Sequence, residues 1–339
     1  MKTIELHENG LDIQFRIREN GVVELADFSS QEVKKAAMEP KEDIYYPAVE
    51  IHRSGTGSLN MHAYKNNINQ SSVDFVYENH ELKEQEGGKE LEIVMVSPEK
   101  LKAVYHMRLF DGIPAVQTWT EITNEGSEDQ GLTHVSSFIY QGISRGGEKP
   151  YYKKTDIYVP FNSWCCEAQW QKYDAETLNL NGMVVDGFNH QGYGLNRYCY
   201  SGKGTWSTCE YLPMGIAEDR ETGETYIFQV ESSGQWLIEY GSAQSGNLYL
   251  TVSGATEQEH GWYKNLKPGE CFTTVPAGAA VVKGGLNPAV AALTRYRRKV
   301  RRANPDDEKL NVVFNDYMNC LMGDPTTERE LSIIDKAAE

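Results

Sequence analysis

The feature that most constrains the fold is a short alternation of apolar and polar residues, which recurs from the start of the chain to about residue 285. Examples are the segments 11–17, 72–77, 91–96, 116–122, 226–230 and 248–252. Side chains of a β-strand point to opposite faces in turn, so this period of two predicts strands with one buried and one wetter face. Turn signals such as Asn20-Gly21 and Asp111-Gly112 separate the segments and favour hairpins.

Well over a dozen segments of this kind, with no long helical pattern before residue 287, predict a large antiparallel sandwich. The aromatic residues agree with it, because the 20 Tyr, 10 Phe and 6 Trp are types that strand surfaces favour. No period of 20–50 residues appears, which argues against a propeller or a solenoid. The expected fold class is therefore mainly β.

The pattern changes at Asn287-Pro288, where a helix is predicted to about residue 303, with Val290, Leu293, Tyr296 and Val300 at helical spacing. Its polar face is basic. The cations are Arg295, Arg297, Arg298, Lys299, Arg301 and Arg302. They are interpreted as a solvated face near a helix C-terminus, which suits the helix dipole; an anion or nucleic-acid patch is the alternative.

The segment after this helix has a mixed pattern. Residues 304–309 form a charged linker, and Leu310–Asp316 is an apolar run that predicts a short strand. Thr327-x-x-Glu330 is a capping box, and Leu331, Ile333 and Ile334 follow as a helical stripe. Strand, loop and amphipathic helix form the first unit of a parallel α/β fold. Because one unit cannot bury both of its apolar faces, we expect the sequence to be the front portion of a longer protein.

Composition excludes several classes of function. The 49 acidic and 33 basic residues give a net charge of −16, which disfavours nucleic acid as a partner. No segment approaches the length of a membrane helix, and the polar N-terminus does not resemble a signal peptide. The six cysteines are scattered, and no His lies at ligand spacing from the adjacent Cys165 and Cys166. We therefore expect reduced thiols, a cytoplasmic location, and neither metal nor cofactor.

No short catalytic motif stands out. The carboxylates Glu210, Glu231 and Glu239 could in principle form a glycosidase pair, but solvated or hydrogen-bonded roles on strands are favoured. Flat aromatic faces also stack on sugar rings. The tryptophans considered for this role are Trp206, Trp236 and Trp262, for which packing is the favoured alternative.

A succession of motifs resembles the N-terminal part of the α-galactosidases of the melibiase type, in glycoside hydrolase family 36. The motifs follow one another in the same order over about residues 190–339, and an early hairpin at residues 19–25 is also similar. They are Gly204–Ser207 with Pro213, Tyr226–Phe228, Ser232–Trp236, Leu266–Glu270 with Pro276, Gly285–Pro288, Tyr296–Arg298 and Val312–Tyr317.

The resemblance implies a β-supersandwich over residues 1–286, a linker helix over 287–303, and the start of a (β/α)8 barrel over 304–339. It also implies retaining hydrolysis of terminal α-galactosides, with α-galactoside oligosaccharides as partners, and a homo-oligomer. In the family the catalytic carboxylates lie at the ends of later barrel strands. These strands would follow Glu339, so no catalytic residue is expected in this chain.

The resemblance carries over only one part of the sugar pocket. The family's aromatic residue after the first barrel strand is usually Trp, and the matching position here is Tyr317. Asp316 and Asn319 flank it as candidate partners of sugar hydroxyls, although Asp316 is equally well explained as a strand-end turn residue. The Tyr and the missing Pro before the strand depart from the family pattern, which bears on sugar specificity.

Two alternatives belong to other classes. The chain could be a stand-alone sandwich that binds carbohydrate or scaffolds an oligomer without hydrolase activity. It could also be a mutarotase-type epimerase, which uses a similar sandwich and needs a His and Glu pair. His134 and His190 are the candidate histidines for that activity, but no spacing selects a pair.

Overall fold

The computed structural model describes residues 1–42, 44–57, 65–181, 196–243, 246–316 and 321–339. The chain divides into two compact units, residues 1–299 and 300–339. The first unit is built mainly from strands. These are β1 (Lys2–Glu8), β2 (Leu11–Ile17), β3 (Val23–Ser30), β4 (Ile51–Arg53), β5 (Val76–Gln85), β6 (Gly88–Val96), β7 (Leu101–Phe110), β8 (Ile113–Asn124), β9 (Gln130–Ile143), β10 (Thr155–Ser163), β11 (Cys166–Asp174), β12 (Arg197–Gly202), β13 (Met214–Asp219), β14 (Glu224–Val230), β15 (Trp236–Ser242), β16 (Leu248–Ser253), β17 (Lys264–Leu266), β18 (Cys271–Thr273) and β19 (Ala277–Lys283).

The described strands form three antiparallel sheets. A three-stranded sheet has the order β1-β2-β3. A ten-stranded sheet has the order β11-β10-β13-β14-β19-β8-β7-β6-β5, with β18 beside β8. A six-stranded sheet has the order β12-β15-β16-β9-β17, with β4 beside β9. The prediction of a large antiparallel sandwich is confirmed.

One aromatic cluster joins the three sheets. Phe28 on β3 contacts Phe138 and Tyr140 on β9, with ring centroids 5.3 and 6.1 Å apart. The same ring lies 6.4 Å from that of Tyr226 on β14. All four side chains are buried. Aromatic rings bury large apolar areas, so this cluster is a central part of the core.

The alternation in the sequence determines which face of a strand enters the core. On β6, Leu91 and Ile93 are fully buried, whereas the intervening Glu92 lies on the other face and is half-buried. The turn between β7 and β8 places Gly112 at a φ of 70°, a left-handed conformation that glycine adopts without steric cost. The predicted Asp-Gly hairpin is therefore formed.

Helical structure in the first unit is sparse, as predicted. Among the described residues its helical elements are α1 (Gln70–Asp74), a 3₁₀ turn (Tyr151–Lys153), α2 (Glu257–His260) and α3 (Leu286–Val300). The predicted strand over 72–77 is wrong for its first half. The side chain of Asn69 accepts a hydrogen bond from the Ser71 N–H and caps α1, which leaves only the residues from Val76 onward for β5.

Helix α3 packs its small and aromatic residues against the ten-stranded sheet. The buried residues are Ala289, Ala292, Leu293 and Tyr296, so the buried face is rotated from the predicted stripe and Val290 remains 44% exposed. A Cβ added at Gly278 on β19 would lie 2.5 Å from the Tyr296 ring. The absence of a side chain there is what lets the ring approach the strand closely.

The second unit contains α4 (Pro305–Lys309) and α5 (Thr327–Ala338). The predicted linker 304–309 is thus mostly a helix, capped by Asn304. Residues 311–316 have no regular secondary structure, so the predicted strand over 310–316 is wrong. A strand needs a neighbour to pair its backbone groups, and none pairs with this segment in the described part of the chain. The cap of α5 is Thr326, one residue before the predicted position.

Candidate functional site

Glu239 on β15 is a buried ionic anchor and has no free oxygen for catalysis. Its Oε1 accepts hydrogen bonds from the Tyr249 hydroxyl at 2.6 Å and the Asn66 N–H at 2.8 Å. Its Oε2 accepts from Arg197 Nη1 at 2.7 Å and Asn66 Nδ2 at 2.9 Å. Burial first, then the Glu239 charge, raises the pKa of Tyr249 well above its usual value. These four donors identify Glu239 as a structural carboxylate.

The other two carboxylates considered for catalysis also act separately. Glu231, which follows β14, accepts hydrogen bonds from Gln117 at 2.8 Å, Gln229 at 3.1 Å and the Tyr296 hydroxyl. Glu210 is exposed in the loop after β12. No hydrogen bond or shared partner joins any two of Glu210, Glu231 and Glu239 within the described ranges. The structure therefore assembles no glycosidase pair from them.

The three tryptophans predicted as candidates for sugar stacking differ in exposure. Trp236 is fully buried and donates to the Ser207 carbonyl at 2.7 Å, so it is a core residue. Trp262 is half-buried and packs against Phe272 at 5.2 Å. Trp206 is 58% exposed, and its indole N–H donates to Thr208 Oγ1 at 3.0 Å. Packing explains the first two, and only Trp206 presents a broad aromatic face to solvent.

A second exposed tryptophan, which sequence reasoning missed, lies on a loop that is hydrogen-bonded to the loop of Trp206. Trp164 is 77% exposed in the turn between β10 and β11. Asn162 connects the two loops, because its N–H donates to the Glu210 carbonyl at 2.8 Å and its Nδ2 donates to the Thr208 carbonyl. Trp164 could have been identified from the sequence, because packing does not require a tryptophan in a hairpin turn. The pair Trp164 and Trp206 is called the tryptophan face below.

The histidines considered for an epimerase do not form a site in the described residues. His134 is fully buried, and its ring meets that of His52 edge-on at 4.8 Å. Burial, and then the proximity of His52, lowers the pKa of His134 well below its usual value. His190 lies outside the described residues. A buried neutral imidazole of this kind is a core residue rather than an exposed acid or base.

Of the three predicted sugar-binding residues, only Asp316 lies within the described ranges; Tyr317 and Asn319 lie outside them. Asp316 is half-buried, and its carbonyl accepts the Leu321 N–H at 3.1 Å. A hydrogen bond with the Asp316 side chain, followed by burial and the Asp316 charge, raises the pKa of Glu330. The side chains of Asp316 and Glu330 therefore lie within hydrogen-bond reach of each other.

The apolar residues before Asp316 are exposed. Val312 is 100% exposed and Val313 87%, and the neighbouring Leu310 and Phe314 are also exposed. On α5, the stripe residues Leu331 and Ile334 are likewise exposed, and no residue of that helix is buried. Both apolar faces of the unit are therefore uncovered, and contiguous exposed apolar surface is typical of an interaction surface.

The basic residues of α3 divide between packing and solvent. Arg297 is exposed, but its Nε donates to Gln229 Oε1 at 2.5 Å. Arg295 and Arg298 are exposed at a groove that Lys283 also lines. The interpretation of this run as a solvated face near the end of the helix agrees with the exposure of all three arginines. Arg297 differs, because it joins the helix to the sheet.

Five cysteines lie in the described ranges, and all are free thiols. Cys199 is half-buried, whereas Cys165, Cys166, Cys209 and Cys271 are exposed. Burial raises the pKa of Cys199 to about 11. Among the described helices, none has the length and apolar character that crossing a bilayer requires.

Solved structures with the same fold are family 36 α-galactosidases. The chain superposes on α-galactosidase AgaB from Geobacillus stearothermophilus with a TM-score of 0.73 and 14% identity, covering 100% of this chain and 49% of that one. AgaA of the same organism, in complex with raffinose, superposes with a TM-score of 0.66 and 15% identity, over 89% of this chain and 44% of AgaA. The α-galactosidase of Lactobacillus brevis superposes with a TM-score of 0.64 and 14% identity, over 88% of this chain and 42% of that enzyme. No protein-family model and no curated protein matches the sequence.

These matches define the class of fold: it is the β-sandwich architecture of the N-terminal domain of family 36 α-galactosidases. The chain spans a little under half the length of each of these structures. The resemblance seen in the sequence motifs is thus confirmed at the level of the fold.

Proposed function

We propose that the chain is the N-terminal, non-catalytic portion of an α-galactosidase-like retaining glycoside hydrolase that acts on terminal α-galactosides. The observation that carries the proposal is the uncovered apolar segment Leu310–Phe314, together with the uncovered stripe of α5. A barrel strand and helix would bury these surfaces against neighbouring strands and helices. The extent of the fold match, a little under half of each α-galactosidase, supports the same assignment.

In this proposal the sandwich supports a barrel and contributes to a homo-oligomer. The half-buried Glu231 and the buried Glu239 stabilise the sandwich, and their several hydrogen-bond partners support a structural role. Asp316, Tyr317 and Asn319 would follow the first barrel strand and line the sugar pocket. Neighbours with this fold were crystallised with raffinose and stachyose, which supports α-galactoside oligosaccharides as substrates.

The test is hydrolysis of p-nitrophenyl α-galactoside, with raffinose as a second substrate. We expect no turnover by the 339-residue chain and turnover by the product of the complete gene. In that product, Asp316→Asn is expected to raise KM, because one carboxylate that bonds sugar hydroxyls is lost. Turnover by the 339-residue chain alone would contradict the proposal, as would a complete gene product with no activity on either substrate.

The second candidate function is carbohydrate binding without hydrolysis, which the tryptophan face supports. Trp164 and Trp206 expose flat rings on two connected loops, and such rings stack on sugar C–H faces. Calorimetric titration with galactose, melibiose and raffinose tests it. Binding that Trp206→Ala removes and Trp262→Ala preserves would favour this function, and the absence of heat with all three sugars would exclude it.

A further inference from the structure

Four adjacent strands carry a polar cluster on the face of the ten-stranded sheet that is opposite to the core residues Leu91 and Ile93. Its members are Lys83 and Gln85 on β5, Glu90 and Glu92 on β6, His106 on β7 and Trp119 on β8. None of these residues has a role in the proposed function. The cluster lies on regular strands, where backbone pairing restrains each side chain.

The register of the strands brings the members together. Glu92 lies directly opposite His106, and His106 lies directly opposite Trp119. Lys83 lies opposite Glu90. Directly opposed side chains on one face have Cβ atoms about 5 Å apart, so their functional groups converge above the sheet.

Two carboxylates meet one nitrogen of the His106 ring. Nδ1 is 3.0 Å from Glu90 Oε1 and 3.8 Å from Glu92 Oε1. One ligand atom from each of the three residues lies within 4.8 Å of the others. Ligand atoms about 2.1 Å from a tetrahedral metal ion are about 3.4 Å from each other, and the two distances to Nδ1 bracket that spacing.

The neighbouring side chains hold these ligand atoms in place. Gln85 Nε2 donates to Glu90 Oε2 at 2.7 Å, and Lys83 Nζ lies 2.5 Å from Glu92 Oε2. Each carboxylate is thus held at one oxygen and presents the other to His106. The imidazole stacks flat on Trp119, with centroids 4.6 Å apart and an interplanar angle of 5°. Outer contacts of this kind orient metal ligands in proteins.

The second ring nitrogen of His106 is available to carry the proton when Nδ1 binds a metal. His106 is only 8% exposed, and its Nε2 is buried with no hydrogen-bond partner in the part of the chain that the structure describes. Moving the proton from Nδ1 to Nε2 breaks no hydrogen bond at Nε2, but it leaves a buried N–H without an acceptor there, a cost that the bond from Nδ1 to the metal must offset. A neutral imidazole can then coordinate through Nδ1.

We propose that Glu90, Glu92 and His106 form a binding site for a divalent transition-metal ion such as Zn²⁺. Imidazole nitrogen and carboxylate oxygen are both ligands of this ion, and three protein ligands leave the fourth position to water. Because its ligands come from β6 and β7, the ion would cross-link two adjacent strands. Sequence spacing missed the site, since its ligands are neighbours only across the β6–β7 pair.

A second histidine provides a matched control within the chain. His7 also meets two carboxylates, but Asp12 Oδ1 lies 2.8 Å from Nδ1 whereas Glu5 Oε2 lies 3.6 Å from Nε2. Its carboxylates therefore stand at opposite nitrogens and cannot share an ion with one of them. The geometry predicts metal binding at His106 and none at His7.

The experiment uses the 339-residue chain after dialysis against EDTA. Zn²⁺ binding is measured by calorimetry, and Ni²⁺ binding by quenching of tryptophan fluorescence, because Trp119 stacks on the ligand ring. We expect one Zn²⁺ per chain, a Kd at least about tenfold weaker in His106→Gln and Glu92→Gln, and no change in His7→Gln. Trp119→Phe should remove most of the Ni²⁺ quenching and keep the Zn²⁺ heat.

Circular dichroism verifies that each variant is folded, and Glu92→Gln provides the test if His106→Gln is not, because Glu92 is only half-buried. Thermal unfolding is a second readout: Zn²⁺ should raise the Tm of the wild type and of His7→Gln more than that of Glu92→Gln. No saturable heat with Zn²⁺, or an equal Kd for the wild type and Glu92→Gln, would overturn the proposal. His106 would then serve only as the partner of Glu90.

Discussion

The hydroxyl of Tyr296 on α3 donates a hydrogen bond to the Glu231 carboxylate at the end of β14. Gln117 on β8 and Gln229 on β14 donate to the same carboxylate, at 2.8 and 3.1 Å. One carboxylate therefore joins the helix to two strands of the ten-stranded sheet. Arg297 Nε also donates a hydrogen bond to Gln229 Oε1 at 2.5 Å. Together these polar contacts hold α3 against the ten-stranded sheet.

Tyr296→Phe is expected to lower the free energy of unfolding by about 1.5–3 kcal/mol, because a half-buried bond to a charged acceptor is lost. Urea denaturation followed by circular dichroism measures the change. Tyr263→Phe is the matched control, since its side chain is 53% exposed. Equal urea midpoints for the two variants would show that the Tyr296 bond does not hold the helix.

Glu239→Gln should destabilise the chain by about 3–5 kcal/mol, because it removes the fully buried charge that pairs with Arg197 Nη1 at 2.7 Å, while Glu259 stays bound to Nη2 of the same guanidinium. It also turns an amide N–H₂ toward donors such as Asn66 Nδ2. Thermal and urea unfolding provide the measurement. Glu86→Gln, at an exposed turn position, should stay within about 0.5 kcal/mol of wild type. An unchanged midpoint for Glu239→Gln would contradict the anchoring role.

Cys199 is expected to resist alkylation at pH 8, whereas the exposed Cys165, Cys166, Cys209 and Cys271 are labelled by iodoacetamide. The thiolate is the reactive form, and burial raises the pKa of Cys199 to about 11. Its thiolate fraction, and thus its labelling rate, should rise as the pH approaches about 11. Peptide mapping by mass spectrometry follows each site. Labelling of Cys199 at the rate of Cys271 at pH 8 would contradict the expectation.

Val312→Asp should leave the free energy of unfolding of the 339-residue chain within about 0.5 kcal/mol of wild type, because the side chain is 100% exposed. It should also reduce self-association of the chain, since it places a charge on the uncovered apolar segment. Sedimentation velocity measures this. Leu82→Asp, on the edge strand β5, is the control and should not change self-association. If Leu82→Asp reduced self-association and Val312→Asp did not, this result would be evidence against an interaction role for residues 310–314.

Much of the fold could be predicted because its determinants are local. The alternation along 91–96 and the Asp111-Gly112 signal indicate a strand face and a hairpin without reference to any distant residue. The prediction was wrong where a distant or absent partner decides the outcome. The apolar run 310–316 has the composition of a strand, but no described strand pairs with it.

The candidate sites depend on contacts that sequence spacing does not encode. Asn66 donates to Glu239, which lies 173 residues further along the chain. Asn162 joins the loops that carry Trp164 and Trp206, and the pairing of β6 with β7 brings Glu90 and Glu92 to His106.

The sequence by itself determined a mainly β chain, its alternation of buried and exposed faces and the position of the long helix α3, because these follow from the periods of strand and helix. Only the tertiary structure decided which carboxylates are structural anchors and which side chains converge. Sheet order and register join segments far apart in the sequence, and the period of two specifies the face of a side chain but not its neighbour across the sheet.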